Sequence, residues 1–155
     1  MMKLFSIGFT QKSAEVFFGL LKDHKIDCLI DIRLNPNGQL SRFAFEKDLP
    51  YFLDKLANGC NYVHRIDLAP QNDLLKEVRT KGSAMCKDYK LFEIEFNKYL
   101  EKESKIENFV AIFREYKNVA LLCSEHTTEK CHRRLVTDML LKKFSNNIKF
   151  GGHLK

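Results

Sequence analysis

With 155 residues, 45 % hydrophobic and 30 % charged, the chain fits one folded domain, residues 1–155, able to bury a core without disulfides. Its 26 basic against 20 acidic residues leave a net charge of +6, which favours anionic partners but identifies none. No apolar run approaches the roughly 20 residues that span a bilayer, and Met1–Gly8 turns polar too early for a secretory segment, so no membrane association and a cytoplasmic location are expected.

In chain order, Leu4-Phe5-Ser6-Ile7-Gly8 reads as a first strand. Ser13 suits the N-cap of a helix whose apolar stripe is Val16, Phe17, Leu20 and Leu21. Cys28-Leu29-Ile30-Asp31-Ile32-Arg33 is a second strand, nearly continuous in apolar character, as expected when both faces are covered. A turn at Asn35-Pro36-Asn37-Gly38 follows. Phe45, Leu49, Phe52, Leu53 and Leu56 then predict a helix closed by Asn58-Gly59, with Pro50 able to delay its start.

Asn61–Ile66 reads as a short third strand, and Leu68–Tyr116 as mainly helical. Val119-Ala120-Leu121-Leu122-Cys123 is the clearest buried strand. A polar loop, Ser124–Lys130, leads into a helix carrying Leu135, Val136, Met139 and Leu140, and Ile148-Lys149-Phe150 supplies a last strand. The alternation predicts an α/β fold: a mostly parallel central sheet of about five strands flanked by helices, a three-layer open sheet.

Ligands of such sheets bind beyond the carboxyl ends of the strands. Gly8, Asp31 with Arg33, and Cys123-Ser124-Glu125 all close strands, so the fold is expected to bring them to one rim. The loop from Cys123 to Arg134 enters a helix whose first turn presents unpaired N–H groups and a positive dipole end. On that helix His132 points into the apolar sector, Arg133 lies at its edge to clamp an anion, and Arg134 faces solvent.

Each candidate has a structural and a functional reading. Cys123 is an inert buried thiol, or a nucleophile if Arg133 and the helix start lower its pKa. Cys131 reads as structural. His132 is a core histidine or a catalytic one, and Glu125 a solvated carboxylate or a general base. Asp31 and Arg33 share one side of the strand and form either a local ion pair or part of the site. A second basic group, Arg33 and Arg42 around the Asn-Pro-Asn-Gly turn with Phe43 and Phe45, suits phosphate contact and base stacking, although Phe45 fits the next helix's core face.

The cysteines, Cys28, Cys60, Cys86, Cys123 and Cys131, are odd in number and lack a C-x-x-C, so reduced thiols are expected. Cys123, His126, Cys131 and His132 are potential zinc ligands, but their spacing matches no zinc signature, and neither metal nor cofactor is expected.

The ordered set Ile7-Gly8-Phe9-Thr10, Leu29-Ile30-Asp31-Ile32-Arg33 with Pro36, Leu121-Leu122-Cys123-Ser124-Glu125 and Cys131-His132-Arg133 resembles the family called domain of unknown function 488. The similarity runs from Leu4 to about Leu140. It implies a compact bacterial or archaeal α/β domain with distinctive polar residues at Gly8, Asp31, Arg33, Cys123, Glu125, Cys131, His132 and Arg133. The first motif often has His or Tyr followed by Ser in that family, where this chain has Phe9-Thr10.

Together these readings lead to an enzyme-like site for a phosphate-bearing ligand, a nucleotide or nucleic acid. Gly8, Arg33, Arg42 and Arg133 would bind the substrate; Asp31, Cys123, Glu125 and His132 would do the chemistry. The competing class is a nucleic-acid-binding or regulatory module without catalysis, whose basic residues would spread over a face and whose binding would weaken steeply with salt.

Overall fold

The architecture follows from strands that are apolar on both faces and helices that are apolar on one. The computed structural model describes residues 1–78, 88–102 and 106–155. Five strands, β1 (Met2–Gly8), β2 (Cys28–Asp31), β3 (Asn61–His64), β4 (Asn118–Cys123) and β5 (Ile148–Leu154), form one sheet in the order β3-β2-β4-β1-β5. Every pairing is parallel, and Gly8 stands beside Cys123 in the register of β1 and β4.

Alternation along the strands divides the core in two. Leu4, Ile30, Val119 and Leu121 face α4 (Tyr89–Lys102), α5 (Phe109–Phe113) and α6 (His132–Lys143), through Phe96, Phe109, Phe113, Val136 and Leu140. Phe5, Ile7, Leu29, Ala120 and Leu122 face α1 (Ala14–Asp23) and α2 (Leu49–Leu56), through Phe17, Leu21, Leu49 and Leu53. Each Leu or Phe so buried contributes about 1.5–3 kcal/mol relative to exposure. The result is the three-layer open sheet expected, with α3 (Asn72–Val78) beside α4. No helix among the described residues is long and apolar enough to cross a membrane.

Local chemistry sets the boundaries. Ser13 caps α1 by accepting a hydrogen bond from the Val16 N–H at 3.2 Å. Helix α2 starts at Leu49 rather than Phe45, with Pro50 in its first turn, where a missing N–H costs nothing. A 3-10 segment, Gln39–Ala44, fills the span before it. Strand β3 stops at His64 because Ile66–Leu68 turns as a 3-10 helix, and β5 runs on to Leu154 through Gly151 and Gly152. At Gly151 a Cβ would meet the Phe5 ring at 2.4 Å, which is why that strand can pass there. Cys86 lies outside the described residues.

Gly8 closes β1 where two loops converge. A Cβ there would stand 1.7 Å from the Glu125 carbonyl oxygen and 2.8 Å from Arg133 Nη1. The obstacle is backbone, so a side chain can be admitted only by moving the β4–α6 loop. Gly8→Ala should therefore cost at least the roughly 1–3 kcal/mol of an overpacking substitution, seen as a lower urea midpoint. A midpoint equal to that of the natural chain would show that the loop does not depend on this close approach.

Candidate active site

The carboxyl ends of β1, β2 and β4 do meet at one rim, but the charged groups divide between the two faces of the sheet. On the α1–α2 side, Asp31 is fully buried and Arg33 only 3 % exposed. Arg33 Nε donates to both Asp31 carboxylate oxygens at 2.9 and 3.1 Å, and Nη2 donates to Oδ2 at 2.6 Å. The Arg33 backbone N–H and the Tyr62 hydroxyl also donate to this carboxylate, at 3.0 and 2.7 Å. Arg33 Nη2 further reaches the Ala44 carbonyl at 2.7 Å, and the guanidinium lies over Phe9, 5.2 Å from its centroid. Burial, then the Asp31 charge, pushes the Tyr62 hydroxyl well above its ordinary pKa, so it stays a donor.

Asp31 was expected as a general acid or base. The structure buries its carboxylate fully and gives both oxygens internal donors, from Arg33 and Tyr62. Its consequence for the site is indirect. The ion pair holds the end of β2, and the next residue, Ile32, joins the sheet to α6. The Ile32 N–H donates to the Leu122 carbonyl at 3.1 Å, while its own carbonyl lies 2.7 Å from His132 Nε2.

That second contact settles the imidazole's tautomer. A carbonyl only accepts, so Nε2 carries the proton and Nδ1 faces Cys123 Sγ at 3.5 Å. Cys123 ends β4 on the α6 side, 3 % exposed, and receives the Cys131 thiol hydrogen bond and the Glu125 backbone N–H. The Cys131 bond, followed by the His132 charge, outweighs burial and holds the Cys123 thiol well below its usual range. Burial would lower His132, but the Cys123 charge and hydrogen bond raise it. Cys131 moves the opposite way to Cys123: its bond to the neighbouring sulfur and its burial raise it. The shifts of Cys123 and His132 run in the directions that favour a thiolate beside an imidazolium.

Cys123, His132, Ser124, Glu125, Arg33 and Asn35 are among the residues lining a cleft of about 350 Å³, so the sulfur is buried in protein yet opens on a cavity. The Glu125 carboxylate side chain is exposed at this loop, whereas its backbone serves both the Cys123 sulfur and Arg133.

Arg133 is placed differently from the expected edge position. It is 2 % exposed and folds back over Gly8, with Nη1 donating to the Glu125 carbonyl and lying 3.6 Å from Cys131 Sγ, and Nη2 donating to the His126 carbonyl at 3.2 Å. Its Nε has no partner among the described residues, and neither has Nζ of Lys12, which is 7 % exposed. Burial, then the Arg133 charge, lowers the Lys12 ammonium pKa. No carboxylate pairs with either cation among the described residues. Arg42 is exposed in the 3-10 segment with φ 50°, and Arg134 pairs with Glu93 and Asp138 at 3.4 Å.

Of the four residues that suggested zinc in the sequence, three gather: the ligand atoms of Cys123, Cys131 and His132 lie within 4.8 Å of one another. His126 turns away, its Nδ1 3.3 Å from the Thr10 carbonyl. Sequence reasoning missed Tyr62 and Lys12. Tyr62 left a faint signal, as the aromatic residue of the strand paired with β2, opposite Leu29. Lys12 left none.

Fold and rim together define a parallel α/β domain carrying a cysteine–histidine pair at the end of its central strand. The chain belongs to the family described as domain of unknown function DUF488, whose profile matches residues 13–140. The match takes in Leu29–Arg33 and Leu121–Arg133 and begins after the Ile7–Thr10 motif. No curated protein and no solved structure matches the chain.

The bonding around Asp31 predicts two unequal losses. Tyr62→Phe removes one hydrogen bond to a buried charge and should cost about 1.5–3 kcal/mol. Arg33→Ala leaves that carboxylate buried without its cation and should cost about 3–5 kcal/mol. Chemical denaturation of both variants provides the comparison. Near-equal effects would contradict the ion pair's place as the brace of β2.

Proposed function

We propose that this chain is a thiol-dependent enzyme acting on a phosphate-bearing substrate of the nucleotide class, with Cys123 as nucleophile and His132 as its proton partner. The observation that carries this reading is the ordered contact from the Ile32 carbonyl through His132 to Cys123, opening on a cleft. Nucleophile, base and orienting group in sequence are the arrangement that activates a weak nucleophile.

The phosphate part of the reading is supported by charge. Lys12 and Arg133 are two buried cations beside the β4–α6 loop, each with an N–H left unsatisfied. Buried charges without counter-ions are costly, and an anion supplies the missing partner. The first turn of α6 holds no acidic residue to compete with it. Asp31 and Arg33 act here as positioning residues, and Glu125 offers a solvent-facing carboxylate as a second proton carrier.

In the reaction, the Cys123 sulfur bonds to phosphorus as the bond to the leaving oxygen breaks. His132 gives that oxygen its Nδ1 proton. Water then attacks phosphorus, His132 takes a proton from it, and Cys123 departs as thiolate. Cys123, Cys131 and His132 also converge as metal donors would, but Arg133 sets a positive charge against the Cys131 sulfur, which favours thiol chemistry over a cation.

The active pair exists between two pH limits. Falling pH protonates Cys123 at its depressed pKa; rising pH takes the proton from His132 at its raised one. Alkylation of Cys123 by iodoacetamide should thus stay fast below the ordinary thiol range near pH 8.5, and His132→Asn should move its midpoint upward. Cys28 and Cys60, pushed up to about 12 by burial, should not react. Inorganic phosphate or a nucleotide should slow the alkylation, and phosphate release should vanish in Cys123→Ser and fall about 10²–10⁴-fold in His132→Asn. A Cys123 that reacts only above pH 8.5, unprotected by any of these anions, would overturn the proposal. Salt-sensitive oligonucleotide binding that is indifferent to Cys123→Ser would favour a non-catalytic module.

A further inference from the structure

Nucleophile and base account for Cys123 and His132, but they leave Cys131 without a task. A structural cysteine behaves as a small hydrophobe among apolar neighbours. Cys131 does not. It occupies the N-cap of α6 with extended backbone, makes no capping hydrogen bond with its side chain, and is 1 % exposed. Its sulfur lies between Arg133 Nη1, at 3.6 Å, and the Cys123 thiolate, to which it donates its proton. The two sulfurs stand within 4.8 Å of one another, and only the Cys123 side lines the cleft.

We propose that Cys131 is the resolving thiol of Cys123: a small hydroperoxide entering the cleft oxidises Cys123, and the two cysteines close a reversible disulfide. The inference rests on the reading of Cys123 as a thiolate. In the first step, the Cys123 sulfur attacks the terminal peroxide oxygen and the O–O bond breaks. The departing alkoxide takes the His132 proton, leaving a sulfenic acid and an alcohol. The negative charge that kept the proton on Cys131 has then gone.

What remains around Cys131 favours its thiolate: the Arg133 guanidinium, the first turn of α6, and a neutral His132 ready to take the proton. Cys131 attacks the Cys123 sulfur, the S–S bond forms and the S–O bond breaks. The hydroxide leaves as water with the proton His132 had received. The balance is one hydroperoxide and two thiols to one alcohol, one water and one disulfide. The bond requires the sulfurs to close from within 4.8 Å to roughly 2 Å. Disulfides of this kind in reducing compartments are transient and catalytic or redox-sensing.

The test uses the full chain. It is treated at pH 7 with stoichiometric hydrogen peroxide, alkylated with iodoacetamide, digested and read by peptide mass spectrometry, beside an aliquot alkylated without peroxide. The expected product is a Cys123–Cys131 linked peptide pair, with dithiothreitol restoring alkylation of Cys123. In Cys131→Ser given two or more equivalents of peroxide, Cys123 should go on to sulfinic acid, which dithiothreitol does not reverse. Rapid alkylation without peroxide, but sulfinic acid or a link to another cysteine after it, would overturn this inference alone. A Cys123 inert to both reagents would overturn it together with the thiolate reading. A stoichiometric metal ion that blocks both reagents until chelated would do the same.

Discussion

The hydrogen bond from His132 Nε2 to the Ile32 carbonyl is the contact on which the rest of the rim depends. It spans 100 positions of sequence and joins the first turn of α6 to the end of β2. By fixing the proton on Nε2 it leaves Nδ1 facing Cys123, which is what converts a buried cysteine into a group with a partner. The donor and acceptor could not meet if β2 frayed. The Asp31–Arg33 ion pair, the Tyr62 hydroxyl and the Ile32 N–H bond to Leu122 all act to hold that strand end in place.

A second constraint is the close approach at Gly8. The Glu125 peptide passes so near β1 that no side chain fits, and this puts the Glu125 carbonyl against Arg133 and its N–H against the Cys123 sulfur. The two main-chain groups of one residue, in consecutive peptides, thus take a guanidinium on one side and the Cys123 sulfur on the other. Arg133 spends its Nη donors on loop carbonyls, so it orders the β4–α6 loop from within while adding positive charge beside the sulfurs. Packing and electrostatics at this point are one arrangement, not two.

The sheet was legible in the sequence because its strands are buried on both faces. Runs such as Val119–Cys123 and Cys28–Arg33 have no other use for so many apolar residues in succession. The convergence of strand ends was legible for the same reason. What the residues did not disclose was which face of the sheet each polar group would take. Asp31 and Arg33 were correctly placed together, but two short strands can present their last side chains to opposite layers. Cys123 follows Val119 and Leu121 toward α6, whereas Asp31 follows Leu29 toward α1 and α2. Arg133 eluded helical-wheel placement because the wheel fixes Cβ alone. The guanidinium, four torsions further on, goes where carbonyls await it. Tyr62 and Lys12 come from segments whose patterns say only strand and turn.

A charged pair at the end of an apolar strand thus has two physical meanings, and burial decides between them. Where donors occupy both oxygens of a buried carboxylate, as at Asp31, each hydrogen bond ties the side chain to its neighbours and fixes its orientation. Such a group holds the geometry of the strand end. Cys123 and His132 are linked by a single contact between two groups whose pKa values shift apart, the thiol's down and the imidazole's up. One proton moving between them changes the charge of both, and a cleft lies beside the sulfur that bears it. The Cys123–His132 pair opens on the cleft, and the buried Asp31–Arg33 pair braces the strand end that positions His132.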